Sequence, residues 1–320
     1  MMYLVLFLLL LVMELVFFKF ADRYNIIDKP NHRSAHTEIT LRGGGIIFWF
    51  AALLYFIQNS QNNYLFFTGI TLVSLISFWD DIQSLSSKLR FLAHVIAITV
   101  LFFDLDIFVI FPWYGILFAY FFFVGTINAY NFMDGINGIT GLYTLSVLGA
   151  LGYVNYFIVP FVSLDFIIYP MIASVVFLVF NYRKKAKCFA GDIGSIAVAF
   201  WIVYLLLKLF LLTNSIVWIM FLSVYGVETA STIVHRIYLK EKLSEAHRWH
   251  FYQILCNDYK IDHRVVSLGY ALLQFLVSSL VIWCYQVYSD VVIILVVLLP
   301  LFLLYSVKFY LLKKRKEYAA

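Results

Sequence analysis

The chain has 320 residues, of which 63% are hydrophobic, 20% aromatic and only 13% charged. So little polar surface excludes an ordinary soluble domain. The net charge of +5 gives no case for a nucleic-acid partner, and the three cysteines (Cys188, Cys256, Cys284) lack the spacing of a disulfide framework.

A hydrocarbon core about 30 Å thick needs roughly 20 helical residues. Apolar segments of that order fall near 2–18, 43–58, 64–79, 89–104, 107–126, 139–159, 165–182, 193–212, 215–234, 265–287 and 291–312. They predict an all-α integral membrane protein of about eleven transmembrane helices, organised as one polytopic domain over 1–320. The first segment has neither a basic leader nor a small-residue cleavage site, so it reads as a span rather than a signal peptide. Lys and Arg concentrate in alternate loops: Lys19 to Arg42, Lys88 and Arg90, Arg183 to Lys187, the 236–264 stretch, and Lys313 to Lys316. The intervening loops (58–64, 104–106, 159–165, 213–215, 288–290) contain none. Positive charge favours the cytoplasmic side, which puts the N-terminus outside and the C-terminus in the cytoplasm. Loops 19–42, 80–88, 127–138, 183–192 and 235–264 then share the cytoplasmic face and form the expected active site.

Nearly every polar cluster of the chain falls in those loops. The first loop runs Asp28-Lys-Pro-Asn-His-Arg-Ser-Ala-His36 and then Arg42 with Gly43-Gly44-Gly45. The glycines could bring backbone N–H groups to a phosphate, although close helix contact is the simpler physical explanation. Asp80-Asp81 ends the third span, with Lys88 following. Adjacent carboxylates beside a membrane do not both ionise comfortably without a cation, and Mg²⁺ bound through carboxylates and substrate phosphates suits the place. A solvated helix end is the alternative.

Asn128, Asn131, Asp134 and Asn137 recur at intervals of three, so a helix would stack them on one face. Amides and an acid at a bilayer edge are expensive unless they bind something. Asp192 opens the eighth span within Phe189-Ala-Gly-Asp-Ile-Gly-Ser195. The N–H groups of a helix start suit a phosphate, and a carboxylate there suits a bridging metal or serves as a cap. His247 and His250 flank Arg248. No cysteine or third histidine completes a zinc pattern, which leaves a grip on an anionic or sugar group, or a solvated amphipathic turn. Glu228 lies about two helical turns inside the ninth span, where an unpaired acid is costly.

Together these blocks resemble the polyprenyl-phosphate N-acetylhexosamine-1-phosphate transferases of glycosyltransferase family 4. That family includes the enzymes initiating O-antigen and capsule, and is related to the phospho-N-acetylmuramoyl-pentapeptide transferase of peptidoglycan synthesis. The likeness runs from Asp28 to Gln253 through five blocks: the first loop with Arg42, Asp80-Asp81 with Lys88, Asn128–Gly138, Gly191–Ser195, and Ala246–Gln253. Three positions depart from the common pattern. Asn137 stands where many members have aspartate, Ile39-Thr40-Leu41 replaces a threonine-proline, and Glu228-Thr229 replaces Asp-Thr.

The resemblance implies a bacterial inner-membrane enzyme that moves a sugar 1-phosphate from a UDP-N-acetylhexosamine to undecaprenyl phosphate. UMP is released, and the product starts a cell-surface polysaccharide. It implies Mg²⁺, with Mn²⁺ as a substitute, held by Asp192 and Asp81. Asp80 would orient or deprotonate the acceptor phosphate, and Lys88 and Arg42 would offset phosphate charge. His247 and His250, with Arg248, would hold the diphosphate or sugar. Phe189 would stack on uracil with Asn137 against that ring, while Asn128, Asn131 and Asp134 complete the polar floor. Membrane lipids are expected partners, and a homodimer is compatible. Which N-acetyl sugar is used is not encoded in these motifs. The rival reading is a secondary transporter or flippase, which would place its acids near mid-bilayer, where only Glu228 lies; a non-catalytic scaffold would not need converging acids at all.

Overall fold

The computed structural model describes residues 1–28, 39–59, 63–243 and 247–319, with side chains to residue 313. Residues 29–36 of the first-loop motif, Ala246 of the histidine block and the side chains of Lys314 to Lys316 lie outside the described residues. Among those described, each of the eleven apolar segments contains helix. In chain order these are α1 (Met2–Arg23), α2 (Ile46–Gln58), α3 (Tyr64–Ile82), α4 (Ser87–Asp104), the short α5 (Ile107–Ile110), α6 (Trp113–Met133), α7 (Ile139–Phe157), α8 (Asp165–Asn181) and α9 (Gly191–Thr213). A 3₁₀ stretch (Ile216–Leu222) leads into α10 (Ser223–Tyr238). The turn α11 (Phe251–Gln253) precedes α12 (His263–Cys284) and α13 (Asp290–Ala319). Strands β1 (Ile27–Asp28) and β2 (Thr40–Leu41) form an antiparallel pair, with Ile27 opposite Leu41.

Seven of these units are long and apolar enough to cross a membrane: α1, α3, α6, α9, Ile216–Tyr238, α12 and the Asp290–Lys313 part of α13. The fold is that of a multi-pass helical membrane protein. Its centre is α9, which is apolar on every side and therefore has to be enclosed. From Ile193 to Leu207 its residues are buried, and α2, α3, α6 and α7 pack around it. The closest approach is between Gly45 and Gly194, where a Cβ built on Gly45 would sit 2.2 Å from the Gly194 Cα. Outer helices display Leu4, Val12 and Val16 on α1, Phe121 on α6 and Leu303 on α13, an apolar surface suited to lipid.

Two segments differ from expectation. The predicted span 107–126 is broken at Phe111-Pro112, since proline fixes its own φ and favours a helix start over a helix interior. The helix α6 therefore begins later and runs on to Met133, carrying Asn128 and Asn131 in its last turns. The segment 215–234 is likewise split into 3₁₀ and α portions, and continues to Tyr238. Polar ties gather at the two ends of the bundle. At one end Tyr3 donates to Asp165 (2.6 Å) and Tyr204 to Asp104 (2.5 Å). The other end collects the acids, arginines and histidines described next.

Candidate active site

The site begins with the way α9 starts. Gly191 has φ +70°, in the left-handed region, and a Cβ there would fall 2.4 Å from Asp81 Oδ2. Glycine is the residue that tolerates both conditions. It lets Asp81, at the end of α3, cap α9 from another helix: Asp192 N donates to Asp81 Oδ1 (2.9 Å) and Ile193 N to Oδ2 (3.1 Å). Arg42 Nε adds an ion pair to Asp81 Oδ1 at 2.7 Å, and its Nη2 lies 3.5 Å from Asp192 Oδ1. A second arginine bridges the remaining acids. Arg90 Nη1 is 2.9 Å from Asp80 Oδ2 and 3.3 Å from Asp192 Oδ2, while Leu85 N donates to Asp80 Oδ1 (2.6 Å). Three carboxylates and two guanidiniums from four chain segments thus form one network.

A cavity of about 560 Å³ adjoins it, with Asp192, Arg90, Asn128, Asn131, His247 and His250 in its wall. Asn131 Nδ2 donates to Ser195 Oγ (3.2 Å) and Asn128 Nδ2 to Val124 O (2.8 Å). Burial, reinforced by His250 and Arg236, pushes His247 down to about 4, so it is a neutral ring at ordinary pH. Arg236, buried and also in the wall, fastens the loop beneath the histidines. It donates to Glu241 Oε2 (3.1 Å) and to the carbonyls of Lys242 and Leu243 (2.5 and 3.1 Å). Trp249 Nε1 donates to the same Glu241 at 2.9 Å.

The expected stack of four polar residues on one helix face does not form. The helix ends at Met133, and Gly138, at φ +89°, turns the chain. Asp134 falls just beyond the helix and accepts from Thr140 Oγ1 (2.5 Å); burial pushes its carboxyl up to about 6. Asn137 faces elsewhere, donating to Arg183 O (2.8 Å) and Lys184 O (3.4 Å). Beside it, Gly138 N donates to Asn181 Oδ1 (2.6 Å), and Asn181 Nδ2 to Cys188 O (2.8 Å). Asn137 thus ties the loop after α8. Asn137→Ala should weaken unfolding stability in detergent by about 1–3 kcal/mol, the range for orphaning buried polar groups, with the donor KM unchanged. A raised donor KM at wild-type stability would make Asn137 a ligand contact instead.

Other expected residues are also placed. Gly44 N and Gly45 N donate to Phe189 O and Ala190 O, and Phe189 N donates to Leu41 O. The glycine run therefore zips two loops together, and the N–H groups of Gly44 and Gly45 are engaged within the protein. Phe189 is half-buried outside the cavity wall, and Arg248 is exposed. Lys88 is exposed and has no ion pair among the described residues; Arg90 holds that position in the network. Arg90 and His94 went unrecognised from motif spacing, yet a signal was there. Both fall on the stripe of α4 that continues through Ala97, Ile98 and Leu101, all buried, whereas Lys88 lies on the other side of the helix. His94 is buried, lies in the cavity wall, and its Nε2 has no hydrogen-bond partner among the described residues.

Among the described residues no three His, Cys, Asp or Glu side chains form a metal cage. A small hard dication held mostly by substrate phosphates needs only one or two carboxylates. Of the expected pair Asp192 and Asp81, Asp192 would be such a donor, and Asp80, which shares the cation Arg90 with it, would be a second. Asp81 is engaged by two backbone N–H groups and Arg42.

A polytopic helical protein with an acid–arginine network beside a histidine- and amide-lined cavity defines a membrane enzyme architecture. Residues 63–210 match the model described as glycosyl transferase family 4, a range containing Asp80, Asp81, Arg90, Asp192 and the Asn128–Gly138 loop. The chain is 25% identical over 279 residues to a probable undecaprenyl-phosphate N-acetylglucosaminyl 1-phosphate transferase of Bacillus subtilis, covering 81% of this chain and 77% of the relative. The undecaprenyl-phosphate alpha-N-acetylglucosaminyl 1-phosphate transferases of Salmonella typhi and Salmonella typhimurium are 28% identical over 212 residues, with 59% of this chain and 57% of each relative covered. The chain thus spans little more than half the length of the Salmonella relatives.

Proposed function

We propose that the protein transfers a sugar 1-phosphate from a UDP-N-acetylhexosamine to undecaprenyl phosphate, releasing UMP. The observation that carries this reading is the network of Asp80, Asp81 and Asp192 with Arg42 and Arg90 at the edge of the cavity. Phosphoryl transfer asks a protein mainly to neutralise charge and align groups, and this network does both. The match to the glycosyl transferase family 4 model and the activities of the similar bacterial proteins point the same way.

In the proposed reaction an oxygen of the acceptor phosphate attacks the sugar-bearing phosphorus of the donor. A new P–O bond forms, the bond to the bridging oxygen breaks, and UMP takes the electron pair. Arg90 and Arg42 offset charge on the transferring group, and Asp80 orients the acceptor phosphate. Asp192 is the residue in the cavity wall that would hold Mg²⁺, with Asp80 as the second carboxylate and Asp81 fixing the start of α9 behind it. The ion would supply charge neutralisation on the diphosphate. His247 and His250 contact the donor's phosphates or sugar, and Asn128 and Asn131 form the cavity floor.

The lipid acceptor has an apolar lodging to match. Two grooves of about 220 and 180 Å³ share Phe122 and Ile219 and run along α6 beside α9, α10 and α13. Their linings are almost wholly apolar, as a polyprenyl chain requires. We assign eleven spans, the N-terminus outside, and a cytoplasmic site in a bacterial inner membrane, because the basic loops coincide with the acid-bearing end of the bundle. The transporter alternative is disfavoured because the acid it would rely on, Glu228, is held by backbone and tyrosine donors.

The test is incubation of purified protein in nanodiscs with labelled UDP-N-acetylhexosamines, with and without undecaprenyl phosphate. UMP and a lipid-linked diphospho-sugar are expected only when both substrates are present. UMP formation independent of the lipid, or none with any donor, would remove this function; a donor panel identifies the sugar.

A further inference from the structure

Glu228 is an acid at 1% exposure in an apolar helix, and its contacts converge on one short segment. Phe251 N donates to its Oε1 at 2.6 Å and Tyr252 N at 3.4 Å, so the carboxylate caps the turn α11 from another helix. The Tyr270 hydroxyl of α12 donates to Oε2. His250 Nδ1 stands 3.6 Å from Oε1. The His250 ring is itself buried, stacks on Tyr252 at 5.5 Å, lies 5.0 Å from the His247 ring and forms part of the cavity wall. Among the described residues neither ring nitrogen makes a hydrogen bond, and Nδ1 is the one that faces the carboxylate. An acid in such surroundings is expensive, and here it meets the N–H groups of a helix start and one edge of an imidazole.

Resting on the transferase reading, we propose that Glu228 is a positioning residue for the transfer step: it anchors the 250–252 turn and faces His250 Nδ1, so that Nε2 is presented to the donor's phosphate oxygens. Glu228 touches no substrate itself and acts through His250. The arrangement sets a carboxylate close to the far nitrogen of a cavity-wall histidine, the side from which a carboxylate orients an imidazole. It also gives the deep acid a purpose at the cavity end rather than at mid-bilayer.

Glu228→Gln keeps the shape and an acceptor for Phe251 N while removing the charge. It should lower kcat about tenfold, the lower range for losing an orienting partner, with the KM for undecaprenyl phosphate and the unfolding temperature in detergent near wild type. His250→Gln should lower kcat about 10²-fold, as for loss of a positioned catalytic imidazole. The deciding readout is the double variant, which should be no slower than His250→Gln alone, because a residue acting through another adds nothing once that other is gone. Losses that multiply, or a wild-type kcat in Glu228→Gln, would overturn the positioning role. Should Glu228→Gln fail to accumulate, Tyr270→Phe removes one donor from the same carboxylate. It is expected to slow the wild type several-fold and the His250→Gln background not at all; equal slowing in both would overturn the proposal. If the wild type itself shows no lipid-dependent release of UMP, the transferase reading falls and the positioning role with it. If it does release UMP, failure of the cycle sinks the positioning role alone.

Discussion

Asp192→Asn should lower turnover with the UDP-N-acetylhexosamine donor by about 10²–10³-fold, the scale seen when one preorganised electrostatic group is removed from an acyl- or phosphoryl-transfer site. The substitution is close to isosteric, and what Asp192 gives to the fold survives it. The α9 start is capped by Asp81 through backbone N–H groups, which do not depend on the side chain at 192. Neither arginine is orphaned, since Arg42 keeps Asp81 and Arg90 keeps Asp80. Accumulation in membranes and detergent stability should therefore stay near wild type while chemistry is lost. UMP release measured on equal amounts of folded protein checks this, and wild-type turnover at ordinary Mg²⁺ would take Asp192 out of the site.

Gly194→Ala and Gly45→Ala should be the most damaging conservative changes to the fold. A Cβ on Gly194 would lie 2.5 Å from the Gly45 Cα, and one on Gly45 would lie 2.2 Å from the Gly194 Cα. Both obstructing atoms are backbone, so relief requires α2 and α9 to separate. Overpacking of this kind costs typically about 1–3 kcal/mol. Because Asp192 and Arg42 stand at the ends of these segments, separation should also remove activity. Gly149→Ala on α7 and Gly269→Ala on α12 are the controls: a Cβ at either meets nothing within 4 Å. They should be neutral, or more stable by up to about 1 kcal/mol through helix propensity. Thermal unfolding of the four variants in one detergent decides the matter, and equal behaviour of all four would contradict the close approach.

The architecture was legible because hydropathy is a property of long windows. Each of the eleven apolar runs contains helix, and the enclosed character of α9 follows from its lack of a polar side. Local chain geometry was less visible. Pro112 moved the start of α6, and with it Asn128 and Asn131 became helical while Asp134 and Asn137 did not. An interval of three predicts a shared face only while the helix lasts. The choice between Lys88 and Arg90 depended on which side of α4 is buried, a question answered by periodicity rather than by motif. The partners of Glu228 and Asp81 were beyond the reach of pattern. Both acids act largely on main-chain N–H groups distant in sequence, and every residue except proline offers such a donor.

The shared arginines of the acid network have one more consequence, for how ligands enter. Each guanidinium is already matched to carboxylates, so an incoming anion that recruits an arginine leaves negative charge behind, while a dication that takes a carboxylate sets an arginine loose. Occupancy by either therefore assists the other, and thermodynamic reciprocity makes the two gains equal. Titrating donor affinity against dication concentration, and then the reverse, should give the same factor.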